Sequence, residues 1–119
     1  MIRNTHTDTL KMEKLNIALL AGGDSSEREI ALKSAAQIER AMDHSKYDIT
    51  VIDIHGRDWH HTMPDGRQIQ IDKTDFSITI DGRHKMFNYA LIIIHGTPGE
   101  NGRMQGYLDM MGVPYSSCS

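Results

Sequence analysis

The 119 residues suffice for one small domain: a chain of this size buries roughly two-thirds of its unfolded surface, enough for a single core and no second one. Hydrophobic residues make up 39% and charged residues 24%, a balance unlike that of disordered chains, and a net charge of -3 leaves no basic footprint for nucleic acid. The longest apolar runs, Ile17 to Ala21 and Ala90 to Ile94, fall far short of the roughly 20 residues that cross a bilayer, so no membrane span is expected.

The opening segment MIRNTHTDTLKMEK is polar and lacks the apolar middle of a secretory signal, so residues 1–14 are expected to form a loose tail before a domain at 15–119. Regularity starts at Leu15: LNIALLAGG is an apolar run closed by two glycines, which predicts a buried strand ending in a tight turn. A helix should follow. Ser26 and Glu29 have the spacing of a capping box, and Ile30, Ala31, Ala35, Ile38, Ala41 and Met42 recur at helical spacing to form one apolar face.

DITVIDIH, Asp48 to His55, predicts a second strand, and the intervening helix is long enough for a right-handed parallel crossover. The middle of the chain differs in kind. Two Asp-Gly-Arg triplets, at Asp65 to Arg67 and Asp81 to Arg83, accompany the alternating stretches QIQID and FSITID, and Asp-Gly favours tight hairpin turns. Residues 62–87 are therefore expected to form an antiparallel hairpin or small meander inserted into a parallel scaffold, extending an edge or meeting a partner subunit.

YALIIIH, Tyr89 to His95, restores the buried parallel pattern. A helix is expected from about Gly102 to Met111 with Met104, Leu108 and Met111 on one face, stopped by Gly112 and Pro114, and VPYSS starts another strand. The whole predicts an α/β fold: a Rossmann-like parallel sheet flanked by helices.

In such sheets ligands bind beyond the carboxyl ends of the parallel strands, here the loops beginning at Gly22, His55 and His95. The first, AGGDSSERE, combines a glycine turn with a helix start, which suits an anion; yet no Walker lysine follows, and Asp24, Glu27 and Glu29 would repel a phosphate. Glu27 is either a helix-dipole acid or an acid that binds a substrate ammonium. The second loop, HGTPGENGRMQG, places His95 at a strand end before glycines that allow close backbone approach, with Glu100 ahead of the last helix. An acid and an imidazole thus converge on one cleft. His55, His60 and His61 lack the spacing of a zinc site and are read as solvated loop histidines, so no metal site is expected. The lone Cys118 fits a reducing cytoplasm.

AGGDSSEREIALKSA at 21–35 together with HGTPGENGRMQGYLDMMGVPYSS at 95–117 resembles the amino-terminal domain of D-alanine–D-alanine ligases, members of the ATP-grasp superfamily. The block His-Gly-x-x-Gly-Glu-Asn-Gly-x-Met-Gln-Gly fits that family's signature at each defined position. The resemblance implies an enzyme that phosphorylates one D-alanine carboxylate with ATP and Mg2+ and joins the acyl phosphate to a second D-alanine, for peptidoglycan precursors. It implies that Glu27 binds the ammonium of the first D-alanine, that His95 lines the same pocket, and that Gly96 and Gly99 shape its wall.

It further implies a cytoplasmic homodimer whose ATP-binding and metal-binding residues lie in domains beyond Ser119, so that this stretch alone neither holds ATP tightly nor turns over. Where the family often has serine, this chain has Ala31; Ser25, Ser26 and Ser34 are the nearby hydroxyls. Two other classes stay open from the residues themselves. One is a non-catalytic Rossmann-like binding or dimerisation module; the other is a nucleotide-binding oxidoreductase domain, whose acid after the second strand would be Asp53 or Asp58 and whose glycine spacing is absent.

Overall fold

A computed structural model describes residues 14–23, 25–95 and 98–117, without the side chains at 25, 26, 95 and 98–101. The expected tail thus falls, except for residue 14, outside the described residues. In chain order the elements are β1 (Leu15–Gly23), α1 (Ser25–Ala41), β2 (Tyr47–His55), β3 (Asp58–Thr62), β4 (Gln68–Gln70), β5 (Ser77–Ile80), β6 (Arg83–Met86), β7 (Tyr89–His95), α2 (Pro98–Met111) and β8 (Tyr115–Ser117).

The alternation of β1 explains the layering. Ile17, Leu19 and Ala21 face one side and join Ala31 and Ala35 of α1, whereas Ala18 and Leu20 face the other and join Met104 and Leu108 of α2. A strand apolar on both faces needs cover on both, which is why β1 lies inside the sheet. Six strands run in the order β4-β3-β2-β1-β7-β8, with β1 parallel to β2 and β7, and β8 parallel to β7. The steps from β1 to β2 and from β7 to β8 cross the sheet in opposite directions. Crossovers of one hand then leave their helices on opposite faces, as the two core clusters record. Leu19, Leu20, Ile52, Ile92 and Leu108 are fully buried, each worth about 1.5–3 kcal/mol of transfer from water.

The inserted region splits in two. β3 and β4 extend the main sheet antiparallel beyond β2, and β5 and β6 form a separate two-stranded sheet. The insertion thus begins at Asp58 rather than at residue 62. Its two Asp-Gly turns differ. The Met63 carbonyl accepts from Gly66 N at 2.9 Å and Met63 N donates to Arg67 O at 2.8 Å, with Gly66 at φ 93°, a type I turn closed by a glycine bulge. Asp81 and Gly82 have φ of 51° and 81°, the two left-handed residues of a type I′ hairpin. Arg67 Nη1 reaches Asp81 Oδ1 at 3.3 Å and joins the two turns.

The β5–β6 hairpin covers the α2 face beside that helix. Phe76 and Ile78 are fully buried there, Phe76 meets Phe87 with ring centroids 5.1 Å apart and the planes tilted by 47°, and Lys85 Nζ bonds Asp48 Oδ2 at 3.1 Å and Thr50 Oγ1 at 3.0 Å on β2. At the opposite end of the sheet from the crevice, Asn16 N donates to Asn88 Oδ1 at 2.7 Å and Asn88 N to Asn16 O at 2.8 Å, which sets the register of β1 and β7.

Two local expectations need correction, and a third falls on a side chain outside those described. Ile30 is 54% exposed, because Ala31 and Ala35 take the sheet-facing line where the helix approaches most closely. Ser26 is the second residue of α1, and the expected Ser26–Glu29 capping box rests on a Ser26 side chain that lies outside the described residues. The last helix starts at Pro98 rather than near Gly102: proline lacks the N–H that a first helical turn leaves unused, and its φ is already helical.

Candidate functional site at the carboxyl ends of β1 and β7

The strand order reverses direction at β1, with the β2 crossover on one side and β7 on the other, so a crevice opens where the carboxyl ends of β1 and β7 lie together. Backbone register brings Gly23 opposite His95 and Gly22 opposite Ile94. On the other flank Gly22 pairs with Ile54, and His55 Nδ1 donates to the Gly23 carbonyl at 3.5 Å. All three carboxyl-terminal loops named from the sequence therefore begin side by side. A turn this tight is possible because Gly22 and Gly23 adopt φ of 119° and 105°.

Glu27 lies in the first turn of α1, exposed, directly after the glycine turn. His95 is the last residue of β7, and its side chain lies outside the described residues, as does all of Gly96. Gly99 falls within the first turn of α2, so Gly99, Glu100 and Gly102 belong to a helix and not to the long glycine loop expected. The fold thus brings the backbone carriers of Glu27 and His95 to one end of the sheet. Ala31, where a hydroxyl was expected to be missed, is fully buried against Ile17, Leu19 and Ala21.

One constellation escaped the sequence reading. Arg28, next to Glu27, binds the Asp53 carboxylate with both arms of its guanidinium: Nε donates to Oδ1 at 3.1 Å and Nη2 to Oδ2. Asp53 also has His60 Nε2 3.8 Å from Oδ2, while His60 Nδ1 donates to Asp58 Oδ1 at 3.0 Å. Bonds from Gln70 and then His60 hold the Asp58 carboxyl below its usual range. His60 is 5% exposed on a strand, and His61 Nδ1 donates to the Val51 carbonyl at 2.8 Å, so neither is the solvated loop histidine expected. Asp53 and His60 line one end of an open groove of about 470 Å³ between α1 and β3. The available signal was the alternation Asp58, His60 against Trp59, His61, which is strand-like although polar.

Among the described residues no group of three His, Cys, Asp or Glu side chains could hold a metal ion. The turn into α1 presents Glu27 and no lysine, a poor cradle for phosphate. No helix among the described residues is long and apolar enough to cross a membrane.

A doubly wound sheet with a crevice at its switch point, an exposed acid in one bordering turn and a strand-terminal histidine on the other border define a Rossmann-like α/β domain. Known proteins narrow the class. The chain belongs to the family described as D-ala D-ala ligase N-terminus, whose model matches residues 16–118. It is 50% identical over 105 residues to a D-alanine--D-alanine ligase of Parabacteroides distasonis, covering 88% of this chain and 32% of that protein. The corresponding ligase of Phocaeicola vulgatus is 46% identical over 106 residues, covering 89% and 33%.

Among solved structures, D-alanyl-alanine synthetase A from Vibrio cholerae superposes with a TM-score of 0.71 at 30% identity, covering 91% of this chain and 32% of that one. The D-alanine-D-alanine ligase of Coxiella burnetii gives 0.68 at 34% identity, covering 87% and 35%. The chain therefore spans about a third of the length of the curated relatives it matches.

Proposed function

We propose that residues 15–119 form the amino-terminal, substrate-binding domain of a D-alanine–D-alanine ligase and build one wall of the site for the first D-alanine. The observation that carries this reading is the exposed Glu27 at the mouth of the switch-point crevice, in a chain of this family. Glu27 pairs with the substrate ammonium, His95 lines the same pocket, and Gly96 and Gly99 allow the backbone to come close. A carboxylate on the ammonium orients the amino acid while leaving its reacting carboxyl free.

ATP with Mg2+ supplies the phosphoryl group that activates that carboxyl. The described residues do not fit that group, so holding it falls to ATP-grasp domains that follow in the complete enzyme, and the present residues bind and orient. D-alanine, those domains and a second copy of the protein are the partners, and the dipeptide serves peptidoglycan synthesis in the cytoplasm. The part alone is expected to be inactive.

The test is ATP-dependent phosphate release with D-alanine by the complete enzyme, with L-alanine as control. Glu27→Gln removes a charge-assisted bond worth about 2 kcal/mol, so the first-site KM for D-alanine should rise roughly thirtyfold while the KM for ATP stays put. An unaltered KM for D-alanine removes Glu27 from the site. His95→Ala should lower turnover; full activity with a lowered Tm would make His95 structural.

A further inference from the structure

Arg28 and Asp53 do more than join a helix to a strand. Among the described residues theirs is the sole side-chain ion pair between α1 and the sheet. The rest of that contact is apolar, through Ala31, Ala35, Leu32 and Ile38, and apolar packing is non-directional: it leaves the helix free to roll or slide by small amounts. A guanidinium fork bound to both oxygens of one carboxylate fixes distance and rotation together. The anchor is itself rigid. Asp53 has a side chain 12% exposed, on a strand paired with Ala21 of β1 and His60 of β3.

Helix geometry converts that anchor into an orientation for Glu27. Successive residues are 100° apart by the 3.6-residue turn, so residues 27 and 28 flank the line that runs through Ala31 and Ala35 into the sheet, one on each side. Arg28 leans to the β2 side, where Asp53 is. Glu27 is thereby turned to the β7 side, where His95 ends its strand.

We propose that Arg28 and Asp53 are positioning residues, a tether that sets the rotation of the first turn of α1 and so aims Glu27 into the crevice. This rests on the reading of Glu27 as the ammonium-binding acid. His60, 3.8 Å from Asp53 Oδ2 and bonded to Asp58, backs the carboxylate from the β3 side.

The experiment uses the complete ligase and measures the first-site KM for D-alanine, the KM for ATP, kcat and Tm. Asp53→Asn should raise the D-alanine KM about tenfold and leave the ATP KM unchanged, the effect expected of a misplaced binding group. Arg28→Met combined with Asp53→Leu removes the pair without leaving a buried charge alone, so Tm should stay close to that of the parent while the D-alanine KM remains about tenfold raised. Adding Glu27→Gln to that double variant should raise KM no further than Glu27→Gln alone, because the tether acts through Glu27.

A folded double variant with the parent's D-alanine KM overturns the tether and leaves the reading of Glu27 standing. A Glu27→Gln enzyme with the parent's KM overturns that reading itself. Fully additive effects in the triple variant would also refute the tether, by showing that the pair acts on something other than Glu27.

Discussion

Replacing Gly22 with alanine tests the close approach of the two strands on which the crevice is built. A Cβ at this position would stand 2.2 Å from the Ile54 carbonyl oxygen and 2.8 Å from the Ile54 nitrogen, at a φ of +119°. These are backbone atoms, which cannot swing aside as the tip of a side chain does. To move the oxygen contact from 2.2 Å to the 3.4 Å at which ordinary contact begins, β1 and β2 have to part by about an ångström at the mouth of the site. That separation loosens one or two ladder hydrogen bonds at about 1 kcal/mol each, and the left-handed backbone adds roughly 1–3 kcal/mol of strain.

The sum, roughly 2–5 kcal/mol, is a large share of the 5–15 kcal/mol by which domains are stable. For a chain of this size it lowers Tm by roughly 10–20 °C. Thermal and urea unfolding followed by circular dichroism reads the effect directly. Gly106→Ala is the control: it lies inside α2 with nothing within 4 Å of the added carbon, and exchanging glycine for alanine there should stabilise by roughly 0.5–1 kcal/mol. A Gly22→Ala protein that melts within about 2 °C of its parent would refute the argument that backbone crowding fixes this residue.

Leu108→Ala should cost about 2–5 kcal/mol, because Leu108 is fully buried between α2 and the sheet; urea unfolding measures it. Burial, then the carboxylates of Asp75 and Asp72, push the Tyr107 phenol up from 10.0 to about 12. The folded state holds that proton more tightly than the unfolded state, so the contribution to stability is complete below pH 10 and is lost as pH rises through about 12. The Tyr115 phenol is also raised, first by burial and then by Asp109, so an ultraviolet titration of tyrosinate should show late titration of which Tyr107→Phe removes the latest part.

The parallel scaffold was legible because its strands are apolar on both faces and its turns are marked by glycine: LNIALLAGG, DITVIDIH and YALIIIH all fell where expected. β3 was not, because Asp-Trp-His-His-Thr is polar in every position but one. His60 is buried there with Nδ1 bonded to Asp58 and Nε2 3.8 Å from Asp53 Oδ2, an arrangement made by residues that meet in space. Ile30 misled for a related reason, since periodicity gives a stripe but does not say which of two adjacent apolar residues faces inward; the small Ala31 does. Glu27 and His95 could be named because strand ends are where such sheets bind ligands. The Arg28–Asp53 pair, split between a helix and a strand, had no signature along the chain.

The place of β1 between β2 and β7 also governs how the chain comes together as it is made. β2 begins at Tyr47 and β7 only at Tyr89, so 42 residues, including the whole polar insertion, are synthesised after the first neighbour starts and before the second does. At about 5–20 residues per second, one edge of the apolar strand β1 waits for several seconds with its backbone unpaired. An open strand edge accepts any extended segment, including the same strand of a second nascent chain. The arrival of YALIIIH therefore completes the crevice and closes that interval of exposure in a single pairing step.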